Sequence, residues 1–208
     1  MKTVKHKSPF FLLVFLAPLV AAAGNDKAPA PAGSGVTYKI TPVFSNVSFS
    51  IMKFFFKEEG GFRDYSGTVF YDPSNPRNSR VSMTVQAASI DTRNTHRDES
   101  LRSDDFFDAD KYPTLSFSST SVVAKRQGEL EVTGDLTIHG ITKRITVSVR
   151  FLGTKELQGW GNFAGFDAVF TIDRTAFGVN GSRWSGGDLI LSKEVTIHLA
   201  IGGVKEPK

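Results

Sequence analysis

The chain has 208 residues, of which 25 are Lys or Arg, 21 are Asp or Glu and none is Cys. The missing cysteine excludes disulfide bonds and thiol chemistry. The net charge is +4 and falls to 22 − 21 = +1 without the three lysines of residues 1–23. This small charge argues against nucleic acid as the main partner, because such binding depends on a concentrated basic face. We find no internal repeat, and the length suits one domain with a sizeable core.

The first 23 residues have the composition of an export signal. Three lysines, at positions 2, 5 and 7, precede an apolar run from 10 to 20, and Ala21, Ala22 and Ala23 supply the small residues of a cleavage site. The run is shorter than the about 20 residues that a membrane span needs, and an uncleaved anchor is the alternative interpretation. We therefore expect a signal peptide of residues 1–23, cleaved near Ala23, and a periplasmic or secreted mature protein.

Residues 24–35, with the sequence GNDKAPAPAGSG, form a linker rich in Pro, Ala and Gly that we expect to be disordered. One domain is predicted to extend over residues 36–202, because nothing in its composition indicates a second one. Residues 203–208 are predicted to be a tail.

Apolar and polar side chains alternate over most of this domain, which is the pattern of strands with one buried and one solvated face. In residues 81–86, for example, Val81, Met83 and Val85 alternate with polar side chains. The predicted strands cover residues 36–40, 47–52, 65–71, 81–86, 115–123, 130–139, 145–151, 166–173 and 195–201. The pattern predicts an all-β fold, either an antiparallel barrel or a sandwich, and does not decide between the two.

Residues 89–120 connect two predicted strands and have the composition of short helical turns rather than of a plain loop. Thr95 followed by Asp98 is a short capping signature, since hydroxyl and carboxylate groups accept hydrogen bonds from the free N–H groups of a first turn. Ser103 with the two aspartates after it predicts a second turn, which Pro113 ends. The segment is therefore predicted to be a helical lid whose apolar side chains face the interior. These side chains are Leu101, Phe106 and Phe107.

The histidines show no signature of a catalytic or metal site. His96, His139 and His198 are far apart in the sequence and have no ligand spacing. His139 is predicted to fix a turn through a backbone hydrogen bond, and His198 to be a solvated strand residue. Only His96 has a fair claim to a binding site, because it lies in the lid segment.

Other chemical motifs are missing too. There is no nucleophile elbow and no phosphate-binding loop. The acidic residues of the lid do not follow the spacing of a calcium loop, and helix capping explains them more simply. We therefore predict that the protein is not an enzyme, has no catalytic residue and needs neither a metal nor a cofactor.

The aromatic content indicates a pocket. The chain has 18 Phe, and only three of them lie in the leader. Each single Phe is most simply a core residue, but as a set inside a barrel they favour an elongated apolar pocket with flat walls. The predicted pocket residues are Phe49, Ile51, Phe55, Phe70, Met83, Leu101, Phe106, Phe107, Phe117, Phe166, Phe170 and Phe177.

Five segments in sequence order resemble the signature of the YceI-like family. They are SIDT at 89–92, RDESLRS at 97–103, DFFDADKYPTLSFSST at 105–120, GDLTIHGITK at 134–143 and TIDRTAFGV at 171–179. The resemblance implies a single antiparallel lipocalin-like barrel of about eight strands, which selects the barrel over the sandwich. It also implies a periplasmic or secreted protein that binds an isoprenoid or another long-chain lipid.

Such a ligand needs contacts to its head group. A lipid taken from a membrane gains little from burial alone, because the membrane is as apolar as the pocket. By strand alternation Lys53, where the family usually has a histidine, lies on the same inward side as Phe49 and Ile51. The alternative is a local bulge that turns Lys53 out to solvent. The candidate head-group residues are Lys53, His96, Arg97, Arg102 and Arg174, with Arg183 as a further one.

The residues and the resemblance together predict an exported carrier that holds a polyisoprenoid, quinone or fatty-acyl chain in its barrel. Two alternatives stay open. One is an enzyme acting on an isoprenoid-type ligand, and the other is a stress-response or virulence factor acting through a protein partner. The expected partners are the lipid and, transiently, a membrane; the oligomeric state stays open and a dimer is compatible with it.

Overall fold

The structure is a computed structural model that describes residues 34–126, 128–159, 161–181 and 190–206. The predicted signal peptide, most of the predicted linker and Arg183 lie outside these ranges. The strands are β1 (Val36–Ile40), β2 (Asn46–Lys53), β3 (Phe56–Phe62), β4 (Tyr65–Tyr71), β5 (Arg80–Gln86), β6 (Ile90–Asp91), β7 (Thr114–Ala124), β8 (Glu129–Ile138), β9 (Ile141–Leu157), β10 (Gly161–Asp173) and β11 (Leu191–Lys205). An α-helix, α1 (Thr95–Arg102), follows β6. Within the described residues, no helix is long and apolar enough to cross a bilayer.

Eight strands close into an antiparallel barrel in the order β1, β4, β5, β7, β8, β9, β10 and β11, and β11 pairs back with β1. This closure confirms the predicted barrel and rejects the sandwich. Strand β11 is long enough for two neighbours on one side: residues 191–200 pair with β2, and residues 203–205 pair with β1. Strands β2, β3 and β6 extend the sheet beyond the ring.

The inward side chains of the strands form the core, because strand residues alternate between two faces. Val195, Ile197 and Leu199 of β11 all reach the barrel interior, as their alternation predicts. Buried side chains form a larger cluster around Tyr71 and Phe166 and a smaller one at the lid. The smaller cluster consists of Phe106, Ile138, Phe177 and Val179.

The alternation does not predict β3, because its sequence FKEEGGF places charged residues and glycines where apolar ones would indicate a strand. Packing accounts for one of these glycines, since a Cβ on Gly60 would lie 2.6 Å from the ring of Phe49. The far end of the domain differs as well. The barrel continues past residue 202, because residues 203–205 of the predicted tail pair with β1.

The lid helix begins one residue earlier than the capping signature predicts. Asn94 is the N-cap, and its side-chain oxygen accepts a hydrogen bond of 3.0 Å from the N–H of Arg97. Asp98 is buried and serves another purpose. Its carboxylate accepts hydrogen bonds from the N–H and the hydroxyl of Thr92, at 2.9 and 2.6 Å. The predicted capping pair of Thr95 and Asp98 is therefore wrong, because Asp98 ties the helix to the chain before it.

Residues 103–112 form hydrogen-bonded turns where the sequence predicts a second helical turn. The N–H groups of Phe106 and Asp108 both donate to the carbonyl oxygen of Ser103, at 3.1 and 2.8 Å. Asp108 has a φ of 45°, which is left-handed and cannot continue an α-helix. The second helical turn is therefore wrong, although Phe106 is buried as predicted.

The β8–β9 hairpin has His139 and Gly140 as its two turn residues, with φ of 51° and 73°. Two left-handed residues are what a type I′ turn requires, which is why Gly140 follows His139. The His139 ring packs on Tyr112 with centroids 4.6 Å apart. The structure therefore shows a ring contact from this turn to the lid segment where the sequence predicts a backbone hydrogen bond.

Candidate ligand-binding cavity

A cavity of about 560 Å³ lies inside the barrel, within the roughly 300–1,000 Å³ range of small-molecule sites. Its wall is mostly apolar, because the inward residues of β5, β7, β8, β9, β10 and β11 are largely Val, Ile, Leu, Met and Phe. Ten of the twelve predicted pocket residues line it. They are Phe49, Ile51, Met83, Leu101, Phe106, Phe107, Phe117, Phe166, Phe170 and Phe177. Strands and lid thus bring these ten together, and their contact with a ligand stays a prediction.

Phe55 and Phe70 do not line the cavity. Phe55 is 90% exposed, because it lies in the two-residue turn between β2 and β3, where strand alternation ends. Phe70 is buried, but on the other face of β4 from Val69 and Tyr71, which do line the cavity. Three consecutive buried residues on β4 give no alternation from which the inward face could be read.

Most polar residues that line the cavity come from one place, the end of β2, the first half of β3, the loop before α1 and α1 itself. We call them the polar rim: Lys53, Glu58, Glu59, Thr92, Asn94, His96, Arg97 and Ser100. Glu58 and Arg97 keep about a third of their side-chain surface in solvent, whereas wall residues such as Phe166 are buried. The cavity therefore opens to solvent between β3 and α1.

Arg97 joins the two sides of the rim. Its Nη1 group donates to Glu58 of β3 at 2.5 Å, and its Nε and Nη2 groups donate to the hydroxyl and carbonyl oxygens of Thr92 at 2.8 and 2.9 Å. Because Thr92 also donates to Asp98, the four residues form one network. This network fixes α1 against β3, so the predicted head-group residue Arg97 lies at the rim and also holds the lid in place.

Lys53 lines the cavity with Phe49 and Ile51, on the inward side that alternation predicts. Strand β2 pairs with β3 without a break as far as Lys53 and Phe56. The irregular pairing lies in the neighbouring strand, between Leu191 and Val195 of β11. A bulge in β2 that turns Lys53 outward is therefore not what the structure shows. The contact of Lys53 with a head group stays a prediction.

His96 and Arg102 lie at the edge of the site or outside it. The His96 side chain is 95% exposed and 4.0 Å from Glu99, so it belongs to the outer rim. Arg102 does not line the cavity. Its guanidinium donates to the carbonyl oxygens of Ala88 and Ile90 at 2.7 and 3.0 Å, which ties the end of α1 to β6. Arg102 therefore lies away from the cavity lining, and its contact with a head group stays a prediction.

Arg174 lines the cavity but is buried, with only 5% of its surface exposed. Its guanidinium donates to four carbonyl oxygens, those of Val179, Asn180, Leu191 and Ser192, at 2.7–3.3 Å. A buried cation is tolerated where hydrogen bonds replace its hydration. Arg174 therefore ties residues 179–180 to the start of β11, and its predicted contact with a head group stays a prediction.

His198 lies on the outer face of β11, as alternation predicts, but it is paired. Its Nε2 atom is 2.9 Å from the carboxylate of Asp167, which also accepts a hydrogen bond of 3.0 Å from Arg150. The hydrogen bond from His198, with a smaller contribution from the charge of Arg150, holds the pKa of Asp167 below its usual value. Among the described residues, no group of three or more His, Asp or Glu side chains has the arrangement of a metal site.

Sequence reasoning misses Glu58 and Thr92. Glu58 lies in β3, which the pattern does not predict, and its partner Arg97 is 39 residues away. Thr92 is part of the segment SIDT, but neither its hydroxyl nor its carbonyl can be assigned a partner before the fold is known.

Comparisons with known proteins agree with this architecture. A family model described as the YceI-like domain matches residues 38–202. Protein YceI of Escherichia coli O6:H1 is 37% identical over 148 residues, which cover 71% of this chain and 74% of that protein. The UPF0312 protein VPA0850 of Vibrio parahaemolyticus is 36% identical over 177 residues, which cover 84% of each.

Two solved structures show the same fold. The crystal structure of Burkholderia cenocepacia BcnA has a TM-score of 0.72 and 28% identity, over 78% of this chain and 98% of that one. A polyisoprenoid-binding domain from Saccharophagus degradans has a TM-score of 0.62 and 14% identity, over 82% and 99%. Sequence, barrel and cavity thus lead to one conclusion: the chain belongs to the YceI-like family.

Proposed function

We propose that the protein is an exported carrier that holds the chain of a long apolar lipid, of polyisoprenoid, quinone or fatty-acyl type, inside its barrel. The observation that carries this function is the cavity of about 560 Å³, whose wall is mostly apolar and most of whose polar lining residues lie at the polar rim. A lipid with a long apolar chain and one polar end matches this arrangement of an apolar wall and a polar rim. The polyisoprenoid-binding protein of Saccharophagus degradans shares the fold, which supports the ligand class.

The energetics assign different tasks to wall and rim. Burial from water contributes about 0.8 kcal/mol per CH₂ group, but a lipid that leaves a membrane leaves an equally apolar medium, so this contribution nearly cancels. Close fit along the wall and contacts to the head group must then supply the preference for the protein. Lys53 and Arg97 are the cations at the rim that can accept an anionic or hydrogen-bonding head group.

Export is the second part of the proposal. It rests on the three lysines, the apolar run and the Ala-rich site of the first 23 residues. The intact mass of protein from the periplasmic or culture fraction should correspond to a chain that begins at Gly24. A mature form that retains residues 10–20 would contradict a carrier free in the periplasm.

The test of the ligand is mass spectrometry of the organic extract from protein purified without detergent. Ala168 lines the cavity on β10, and Thr171 is exposed on the same strand. Ala168→Phe should narrow the cavity and lower the amount of co-purified lipid, whereas Thr171→Phe should leave that amount unchanged. Circular dichroism of both variants checks that the barrel is intact.

Three outcomes would overturn the carrier function. If the wild-type extract contains no lipid and the protein does not bind added geranylgeraniol, the carrier function is wrong. If Ala168→Phe retains as much lipid as the wild type, the ligand does not bind inside the barrel. A mixture of lipid and its chemically altered product, formed with time, would instead indicate an enzyme.

A further inference from the structure

The turn between β2 and β3 presents apolar side chains to solvent. Met52 is 44% exposed, Phe54 59%, Phe55 90% and Phe56 73%. Single exposed apolar residues are common on protein surfaces, but a contiguous group of them marks a site of interaction. We call these four residues the aromatic tip.

The backbone of the turn does not account for this sequence. Phe54 occupies the first turn position with a φ of 54°, a left-handed conformation that glycine or asparagine adopts with less strain. The first residue of the β8–β9 turn, His139, has the same conformation, and its ring has a contact beyond the turn, on Tyr112. A bulky residue held in this conformation at an exposed site indicates a role other than forming the turn.

Lysines border the aromatic tip. Lys53 and Lys57 stand on either side of the three phenylalanines, and together with Arg97 they outnumber the two acidic residues that follow. Glu58 pairs with Arg97 at 2.5 Å, and Glu59 pairs with Lys57 at 2.7 Å. The Lys57 pair is exposed and therefore weak. Aromatic rings bordered by basic side chains are the composition found where proteins enter the interface of a bilayer.

The aromatic tip lies beside the opening of the cavity, because Lys53 and Glu58 belong to the polar rim. We propose that the tip inserts into the headgroup region of a lipid bilayer and sets the polar rim against the membrane surface. The use of this contact to load the cavity rests on the carrier function, but the docking itself does not.

The size of the tip favours a bilayer over a protein partner. An aromatic side chain contributes at most about 250 Å², so at these exposures the four side chains fall short of the about 800 Å² that each partner buries in a stable protein interface. Insertion into a lipid surface has no such minimum area, since a few apolar side chains and basic neighbours suffice for reversible binding.

The test is flotation of the protein with vesicles of phosphatidylcholine alone or mixed equally with phosphatidylglycerol. Phe55→Ser combined with Phe56→Ser should lower partitioning to both vesicles at least tenfold, because two exposed rings no longer insert. Lys57→Gln should lower binding about fivefold on the anionic vesicles alone. Wild type and variants share the same N-terminus, so the leader cannot cause a difference between them.

Val43→Ser is the matched control. Val43 is 67% exposed in the turn before β2, at the opposite end of that strand and roughly 24 Å from the tip at about 3.4 Å per residue. Its partitioning should stay within twofold of the wild type. If thermal unfolding shows that the double variant does not fold, Phe55→Ser alone gives the same readout, since Phe55 is the most exposed of the four.

Docking is overturned if the wild type binds neither vesicle, or if the double variant binds as the wild type does. It is also overturned if light scattering shows that the double variant loses an oligomer while its vesicle binding stays unchanged, which would make the tip a protein interface. Binding of geranylgeraniol supplied without a bilayer separates membrane docking from the carrier function. The wild type and the double variant should bind it equally. Failure of the wild type in that assay speaks against the carrier function and leaves docking standing.

Discussion

The wall of the cavity and its polar rim are built in different ways. The wall consists of long strands whose inward residues, such as Ile197 of β11 and Phe170 of β10, are fixed by continuous backbone pairing. The rim consists of short segments joined by side-chain hydrogen bonds around Arg97. Because pairing along whole strands is cooperative and the rim bonds are few, changes in the wall should affect stability and changes at the rim should affect ligand choice and exchange.

The largest effect is expected in the wall. Phe166 is buried and packs against Tyr71 and Phe151 with ring centroids 5.9 and 5.4 Å away. Phe166→Ala should lower the free energy of unfolding by about 3–5 kcal/mol, measured by urea denaturation.

Phe107 is the comparison, since it also lines the cavity but is only half-buried in the lid. Phe107→Ala should cost about 1–2 kcal/mol and speed the exchange of bound lipid. Equal losses of unfolding free energy for Phe166→Ala and Phe107→Ala would contradict the difference between the wall and the lid.

At the rim, Lys53 should select the head group. Lys53→Met should weaken the binding of a long-chain fatty acid about tenfold, because a charge-assisted contact is lost, and should leave binding of the matching alcohol nearly unchanged. Titration of both ligands into wild type and variant measures the difference. An unchanged affinity for the fatty acid would remove Lys53 from the site.

The rim network should contribute little to stability. The half-exposed pair of Glu58 and Arg97 is worth about 1 kcal/mol or less. Glu58→Gln should therefore hardly change unfolding, but it should accelerate lipid release, because α1 is no longer held to β3. A double-mutant cycle with Arg97→Leu isolates the pair. A loss of several kcal/mol for either single change would show that the lid is part of the core.

A smaller effect that depends on pH is expected at the β4–β5 turn. The side-chain amide of Asn78, with the N–H groups of Asn75 and Ser74, holds the pKa of Asp72 below its usual value. A lowered folded-state pKa stabilises the fold above the unfolded value of about 3.9, and that contribution is lost as the pH falls through the folded value. Asp72→Asn should therefore lower stability somewhat at neutral pH and flatten its further loss in acid below about pH 4, measured by urea denaturation at a series of pH values.

The two regions also differ in how far the sequence predicts them. Alternation on β5, β10 and β11 identifies the inward residues, because each strand carries one face to solvent and one to the interior. It fails on β4, where Phe70 is buried on the opposite face from its neighbours, and in the turn that holds Phe55. The resemblance to the YceI-like family selects the barrel, which alternation alone does not.

The rim depends on contacts between residues distant in sequence. Glu58 and Arg97 meet only because β3 folds alongside the lid segment, and the local pattern of neither segment indicates the other. Asp98 matches a helix-capping signature, but its carboxylate accepts hydrogen bonds from the N–H and the hydroxyl of Thr92 instead. A tertiary contact thus overrides a local preference, which sequence periodicity does not detect.

The position of a bound lipid tests the central claim most directly. Nuclear Overhauser contacts between isotope-labelled geranylgeraniol and the protein would locate both ends of the ligand. We predict contacts from the chain methyl groups to Met83 and Phe166 in the wall and from the alcohol end to Lys53 and Arg97 at the rim. Contacts confined to the outer surface, or an alcohol end beside Met83, would contradict the division of the cavity into an apolar wall and a polar rim.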